Sequence, residues 1–403
     1  MKENNQPRSL NKEEYNTKRY HIVLLNLWRV INAKGGTEKV FIQMAKALDK
    51  LGFEVSAIFY DENCNESYPI PENINFINAF QPKTIFNNQF FTNIRAIHPN
   101  RRIRHYKRKL LISKQKCNNL LKAFHNWNEV DLIIAFQPEA AYFVKDLMKL
   151  DVPLVTMYHL TPEAFDKKSE FDEQYQNSVN KGTAVQVLMP EYIPIAKRLH
   201  PHIPIVCIPN VAPQYDSPSS LTSKTIINVA RLSKQKRPEL LIEAFSLLKD
   251  RYPDWNCEWW GEYHVEPELT YRIQCLIEKY DLKGRFLLKG TTNDIDSKLR
   301  TSSIFAFPSS YEGQSLALLE AMSMGLSVIG CIDCPSVNSM IKNGENGLLT
   351  QPTAEAYAEG LAKLMEDQNL RSQFGTKARE YVAAYSPESV WKQWSDFIYS
   401  IIT

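Results

Sequence analysis

The chain has 403 residues, 44% of them apolar, with a formal net charge of +3. That length supports two hydrophobic cores, since single cores stop growing near ~250–300 residues. No apolar run approaches the ~20 residues of a membrane span, and no RNA- or DNA-binding motif stands out.

Residues 1–19 are polar and read as a segment draped on the surface, without the apolar stretch of a signal peptide. His21 to Leu27 is a continuous apolar run of the kind buried in a parallel sheet. A loop with Gly35-Gly36 follows, and then Val40, Phe41, Met44, Ala47, Leu48 and Leu51 recur at helical spacing until Gly52. Phe53 to Phe59 is the next strand, which completes one strand–helix–strand unit. Asp131 to Phe136, Val152 to Tyr158, Thr183 to Leu188 and Ile205 to Ile208 continue the series through a first domain at 20–209. Strands alternating with helices predict a parallel, doubly wound α/β sheet.

Pro and Ser then dominate, which places a linker at 210–223. A second alternating series fills 224–385. Its predicted strands are Thr225 to Val229, Cys257 to Trp260, Phe286 to Lys289, Ile304 to Phe307, Ser327 to Ile329 and Gly347 to Leu349. A last helix at 386–403 carries Val390, Trp394 and Ile398 at a spacing suited to packing back on the first domain. Two such sheets predict a cleft between the carboxyl ends of both sets of strands, where ligands of these folds bind.

Charge is unevenly spread. From Asn73 to Asn128 there is no acid, while 101–122 holds Arg101, Arg104, Arg108 and Lys116 beside an apolar face of Ile103, Tyr106, Leu110, Cys117, Leu121 and Phe124. Two readings stay open for this helix: docking on an anionic membrane surface, where each cation gains ~1 kcal/mol, or a core-packed helix with a solvated basic face. Seven cysteines without framework spacing suit a reducing compartment, so the expected location is the cytoplasm, with peripheral contact at the inner membrane face under the first reading. Cys331 and Cys334 form a CxxC with no second ligand pair, so thiols rather than zinc ligands are expected there.

The stretch 303–325 concentrates the chemistry. Ser309 to Gly313 is a turn carrying Glu312; Ser315 is placed as an N-cap, Leu316 to Met324 as a helix, and Gly325 as its left-handed end. Glu320 falls about one turn in, roughly 6 Å along the axis. Arg231 and Lys236 lie between a strand end and a helix opened by Pro238, an arrangement that suits a diphosphate. The same two residues also fit a solvated basic loop with Lys234 and Arg237.

Taken together, VARLSKQKRPELLIEAF, Trp260-Gly261-Glu262, FAFPSSYEGQSLALLEAMSMGLSVI and NGENGLL resemble the retaining GT-B glycosyltransferases of family four. The E-x7-E signature, Glu312 to Glu320, is the clearest mark. NAKGGTEKVFIQMAKALDKLGFEV extends the resemblance more loosely into the first domain. It implies two Rossmann-like domains facing a cleft, with Arg231 and Lys236 on the donor diphosphate, Glu312 on the donor sugar and Glu320 on the ribose. Backbone groups of Gln314, Ser315 and Leu316 would meet phosphates and sugar, Gly35 and Gly36 the phosphates or acceptor, and His159 the donor sugar. The implied activity moves a hexose or N-acetylhexosamine from a nucleotide sugar, UDP-linked by expectation, to a glycan or lipid-linked acceptor in surface polysaccharide or lipopolysaccharide assembly. No cofactor or metal is expected, because the two cations would offset the leaving charge. Where many relatives have Gly, this chain has Ser315, which implies a changed sugar preference. An epimerase or hydrolase of the same architecture, and a non-catalytic binding partner of a transferase, remain rivals.

Overall fold

The computed structural model describes residues 19–28, 35–61, 72–81, 101–165, 169–264 and 266–403. The predicted N-terminal segment up to residue 18, and the side chains of Arg101 and Arg104, lie outside the described residues. The first sheet contains β1 (His21–Asn26), β2 (Glu54–Phe59), β3 (Asn75–Asn78), β4 (Leu132–Ala135), β5 (Leu154–Tyr158), β6 (Ala184–Val187) and β7 (Ile205–Cys207). Every pair in it is parallel, in the order β3-β2-β1-β4-β5-β6-β7. The second sheet is built from β8 (Thr225–Val229), β9 (Asn256–Trp260), β10 (Phe286–Gly290), β11 (Ile304–Phe307), β12 (Ser327–Cys331) and β13 (Gly347–Thr350). It too is parallel, in the order β10-β9-β8-β11-β12-β13.

Five helices matter most to the cleft: α1 (Gly36–Lys50), α2 (Arg101–Ala123), α3 (Pro238–Ser246), α4 (Leu316–Ser323) and α5 (Pro387–Ile402). Helix α1 buries Phe41, Met44 and Leu48 on one face of the first sheet, and α5 adds Val390, Trp394 and Ile398 to the same apolar cluster. The carboxyl-terminal helix thus crosses back onto the first sheet. Tyr399 seals it with ring contacts to Tyr20 and Phe53. The linker is pinned rather than loose: Ala212 N–H donates to the Tyr385 carbonyl at 2.8 Å and Ser219 N–H to the Met324 carbonyl at 2.8 Å.

Helix α2 corrects one expectation. Its buried face runs through Ser113, Cys117, Leu120 and Phe124, whereas Ile103 and Leu121 are exposed. At about 100° per residue those two sit some 40° to the far side of Cys117, at the edge of the stripe. Two of its cations serve the fold directly, with Lys109 Nζ 4.4 Å above the Phe171 ring and Lys116 Nζ 4.9 Å above that of Tyr60.

Candidate functional site

Strand order reverses between β1 and β4 in one sheet and between β8 and β11 in the other. Crevices at such points are where doubly wound sheets take ligands. The loops that leave these strand ends face each other across a cleft of about 680 Å³ lined from both domains.

The end of β8 is tightly braced. The Trp259 indole donates to the Ala230 carbonyl at 2.9 Å, and Gly261 adopts φ +143° with that same oxygen 2.1 Å from where a Cβ would stand. Only glycine lets β9 leave the sheet so close to its neighbour. Beyond the strand a short turn, Lys234–Lys236, and a left-handed Arg237 deliver the chain into α3. Arg237 is held by a fork to Asp333, at 2.9 and 2.6 Å. Arg231 is left exposed in the cleft wall. Lys236 turns inward, its Nζ 2.5 Å from Glu312 Oε1 and 5.5 Å above the Phe307 ring.

From β11 comes the opposing acid. Ser310 N–H donates to the Gln235 carbonyl, which ties the two loops together. Glu312 is buried, and its carbonyl accepts from Tyr192 Oη of the first domain at 2.9 Å. Gly313 lies directly under His159: a Cβ there would stand 2.2 Å from the histidine's carbonyl oxygen, so the domains meet at this residue. Gln314 is committed to Asn210, accepting its backbone N–H at Oε1 (2.5 Å) and its side-chain amide at the carbonyl (2.9 Å). Its own N–H is what it can offer a ligand. Ser315 caps α4 as expected, Oγ accepting from Leu318 N–H at 3.3 Å. The Leu316 side chain packs 3.5 Å from the Cβ position of Gly36.

Glu320 is buried one turn into α4, and its partner comes from the other domain: Lys39 Nζ lies 2.5 Å from Oε1. Burial pushes the Glu320 carboxyl above its ordinary value while the ammonium of Lys39 pulls it partly back. Glu38 is raised by burial as well, with Arg231 as the cation that opposes the shift. His159 stacks on Phe136 with centroids 5.0 Å apart, and its Nε2 is buried without a hydrogen-bond partner. Burial lowers its pKa to about 4, so the ring is neutral at pH 7 and acts through hydrogen bonding rather than charge.

The cleft therefore gathers Arg231, Lys236, Glu312, Gly35, Gly36, His159, Gln314, Ser315, Leu316 and Glu320 in one wall-to-wall site. Lys39, Tyr192 and Asn210 were not foreseen. Lys39 had one legible signal: a cation in the first turn of a helix opposes the macrodipole, so some other partner must hold it. Tyr192 and Asn210 act from loops with no such signal. The CxxC thiols are free and buried, and burial lifts both, Cys331 to about 12. Among the described residues no group of three or more His, Cys, Asp or Glu could hold a metal, and no helix is long and apolar enough to cross a membrane.

Two parallel Rossmann-like sheets closing on a shared cleft define the GT-B fold. Sucrose-phosphate synthase from Thermosynechococcus elongatus matches 95% of this chain and 99% of its own at TM-score 0.75 and 18% identity. A TarM variant from S. aureus, solved with fondaparinux, alpha-GlcNAc-glycerol and UDP, matches 94% and 99% at TM-score 0.73 and 16% identity. Residues 215–381, which span the second sheet and its helices, match the family described as glycosyl transferases group 1. A Campylobacter jejuni N-acetylgalactosamine-N,N'-diacetylbacillosaminyl-diphospho-undecaprenol 4-alpha-N-acetylgalactosaminyltransferase is 32% identical over 168 residues, 41% of this chain and 44% of that protein. The matched stretch spans about half the length or less of the curated relatives it was compared with.

Proposed function

We propose that this protein is a retaining glycosyltransferase that moves a hexose or N-acetylhexosamine from a UDP-linked sugar to a glycan or lipid-linked glycan during surface polysaccharide or lipopolysaccharide assembly. One observation carries the reading: Arg231, Lys236, Glu312 and Glu320 converge at the N-terminus of α4, facing His159 across the cleft. Carboxylates suit paired sugar and ribose hydroxyls as bidentate acceptors, and the cations with the helix N-terminus suit a diphosphate. TarM, of the same fold, was solved with UDP, which supports that choice of donor.

In this mechanism Arg231 and Lys236 stabilise the charge that grows on the departing diphosphate, so a metal is not needed for that purpose. Both signature acids are engaged by lysines, which favours a front-face displacement over a carboxylate nucleophile. The sugar–phosphate bond breaks, the acceptor oxygen attacks from the same face, and its proton passes to the leaving phosphate. The neutral His159 Nε2 is placed to meet a sugar hydroxyl. Contact between the domains at Gly313 would limit water and hence donor hydrolysis.

The test is nucleotide release from a panel of nucleotide sugars, with and without membrane extract as acceptor source. Release from UDP-sugars that rises with extract is expected; release only from GDP- or ADP-sugars would overturn the UDP assignment. Product analysis showing free sugar or an epimer would replace transfer by hydrolysis or epimerisation. The exposed Lys107 and Arg108 of α2 favour a peripheral site on an anionic membrane face as the working location. Vesicle co-sedimentation unchanged by neutralising Arg101, Arg104 and Arg108 would reject it.

A further inference from the structure

Among the described residues, the charged side chains lining the cleft balance: Glu262, Glu312 and Glu320 against Lys39, Arg231 and Lys236. Two of the cations are paired, Lys236 with Glu312 and Lys39 with Glu320. A diphosphate held by Arg231 and Lys236 alone would be gripped from the second domain only. Among the described residues, Lys39 is the one of these six charged side chains that the first domain contributes. Its side chain is one-third exposed, whereas Glu320 beneath it is buried. An ammonium carries three donors, and Glu320 Oε1 takes one. The others remain for a second acceptor on the open side. Lys39 stands in the first turn of α1, whose Gly35–Gly36 N-terminus lines the cleft, and Gly36 lies against Leu316 at the N-terminus of α4. The N-terminus of α4 and this ammonium thus converge on one volume, and each favours an anion, while the N-terminus of α1 is engaged by the Glu38 carboxylate. Near them His159 Nε2 is buried without a hydrogen-bond partner, a sign that the wall is shaped for a polar guest.

We propose that Lys39 is a donor-binding residue supplied by the first domain, which keeps its bond to Glu320 while its free donors hold a diphosphate oxygen. This rests on the nucleotide-sugar reading above and adds to it that the diphosphate, rather than the nucleoside, draws the two domains together. Lys39 then bridges the acid of the second domain and the phosphates.

The experiment compares binding of UDP and of uridine, by calorimetry and by saturation-transfer competition, in wild type, Lys39→Met and Lys39→Arg. Lys39→Met is expected to weaken UDP at least tenfold while uridine changes less than twofold, and Lys39→Arg to recover most of the loss. Small-angle scattering should show compaction by UDP in wild type and not in Lys39→Met. Should UDP and uridine weaken together, Lys39 merely supports Glu320; should both tighten, it competes with the ligand. Either result overturns the proposal and leaves the nucleotide-sugar reading standing. If wild type binds neither ligand, both fall. Glu320→Gln guards against a misfolded Lys39→Met, since it keeps the ammonium: it should weaken uridine and UDP by the same factor, and a loss confined to UDP would sink the bridge.

Discussion

The two walls of the cleft differ in kind. The second domain presents carboxylates and cations on short loops locked at both ends, by the Arg237–Asp333 fork and by the Ser310 bond to Gln235. The first domain presents mostly neutral polar groups. Apart from the lining residues, Asn26 at the end of β1 and Gln137 just beyond β4 are nearly fully buried and share one hydrogen bond of 3.1 Å. That bond leaves Asn26 Nδ2 and Gln137 Oε1 unpartnered, and His159 is neutral. Lys39 and Glu38 are charged residues of the first domain that meet the second: Lys39 reaches over to Glu320, and Glu38 faces Arg231. Under the proposed function, the contrast teaches that charge stands where the donor diphosphate would be held, while the facing wall would meet the uncharged, hydroxyl-rich sugars.

The contrast can be broken by comparing substitutions on the two sides. The largest expected effect is on the charged wall: Lys236→Ala should lower turnover by about 10²–10³-fold at saturating donor, as loss of a group that stabilises developing charge does. Nucleotide-release kinetics measure this, and turnover equal to wild type would remove Lys236 from the mechanism. Next comes the seam between the walls. Gly313→Ala puts a methyl group 2.2 Å from the His159 carbonyl and must part the domains, costing roughly 1–3 kcal/mol and at least tenfold in activity. A thermal melt with an activity assay would show both, and an unaffected protein would mean the seam is open in solution. Glu320→Gln should raise the apparent donor KM about tenfold, equivalent to ~1.4 kcal/mol, with kcat little changed. A loss confined to kcat would move Glu320 from the ribose to the reacting centre.

The smallest effect concerns protons on the neutral wall. His159 and the buried His200, which is bonded to Tyr158 Oη at 2.7 Å and Asn180 Oδ1 at 2.8 Å, are both lowered by burial to about 4 from an ordinary value of 6.5. The unfolded chain therefore binds these protons first. The stability they contribute is complete above about pH 6.5 and is lost as pH falls towards 4, at up to about 1.4 kcal/mol per pH unit for each. Urea midpoints measured between pH 7.5 and 4.5 should fall, and should fall less steeply in His200→Gln. A slope unchanged by that substitution would deny His200 its share.

Legibility in the sequence followed the range of the interactions. The charged wall was readable because its parts are local: a strand end, two cations and a Pro-started helix in one stretch, and a turn, an N-cap and two acids in another. Ser315 and Gly325 did what their residue types dictate, with Gly325 at φ +76°. The bonds that assemble the cleft were hidden, since Lys39–Glu320, Tyr192–Glu312 and Asn210–Gln314 join residues 281, 120 and 104 positions apart. No local period encodes such contacts. Strand β3, an edge segment bounded by Asn75 and Asn78, escaped because only Phe76 and Ile77 in it are apolar, too few to mark a run or an alternation. Helix α2 showed its stripe but not the edge of it, which is decided by what packs there.

The pinned linker and the returning α5 together mean that the polypeptide passes between the domains twice. A single crossing would let one domain swing and twist freely about the other. Two crossings, one held by Ala212 at Tyr385 and one by α5 on the first sheet, tie the domains at two points instead of one. Asn210 sits at the start of the first crossing and grips Gln314, the residue just ahead of the cap of α4. A change in the angle between the domains would therefore act directly on the helix end that, under the proposed function, meets the phosphates.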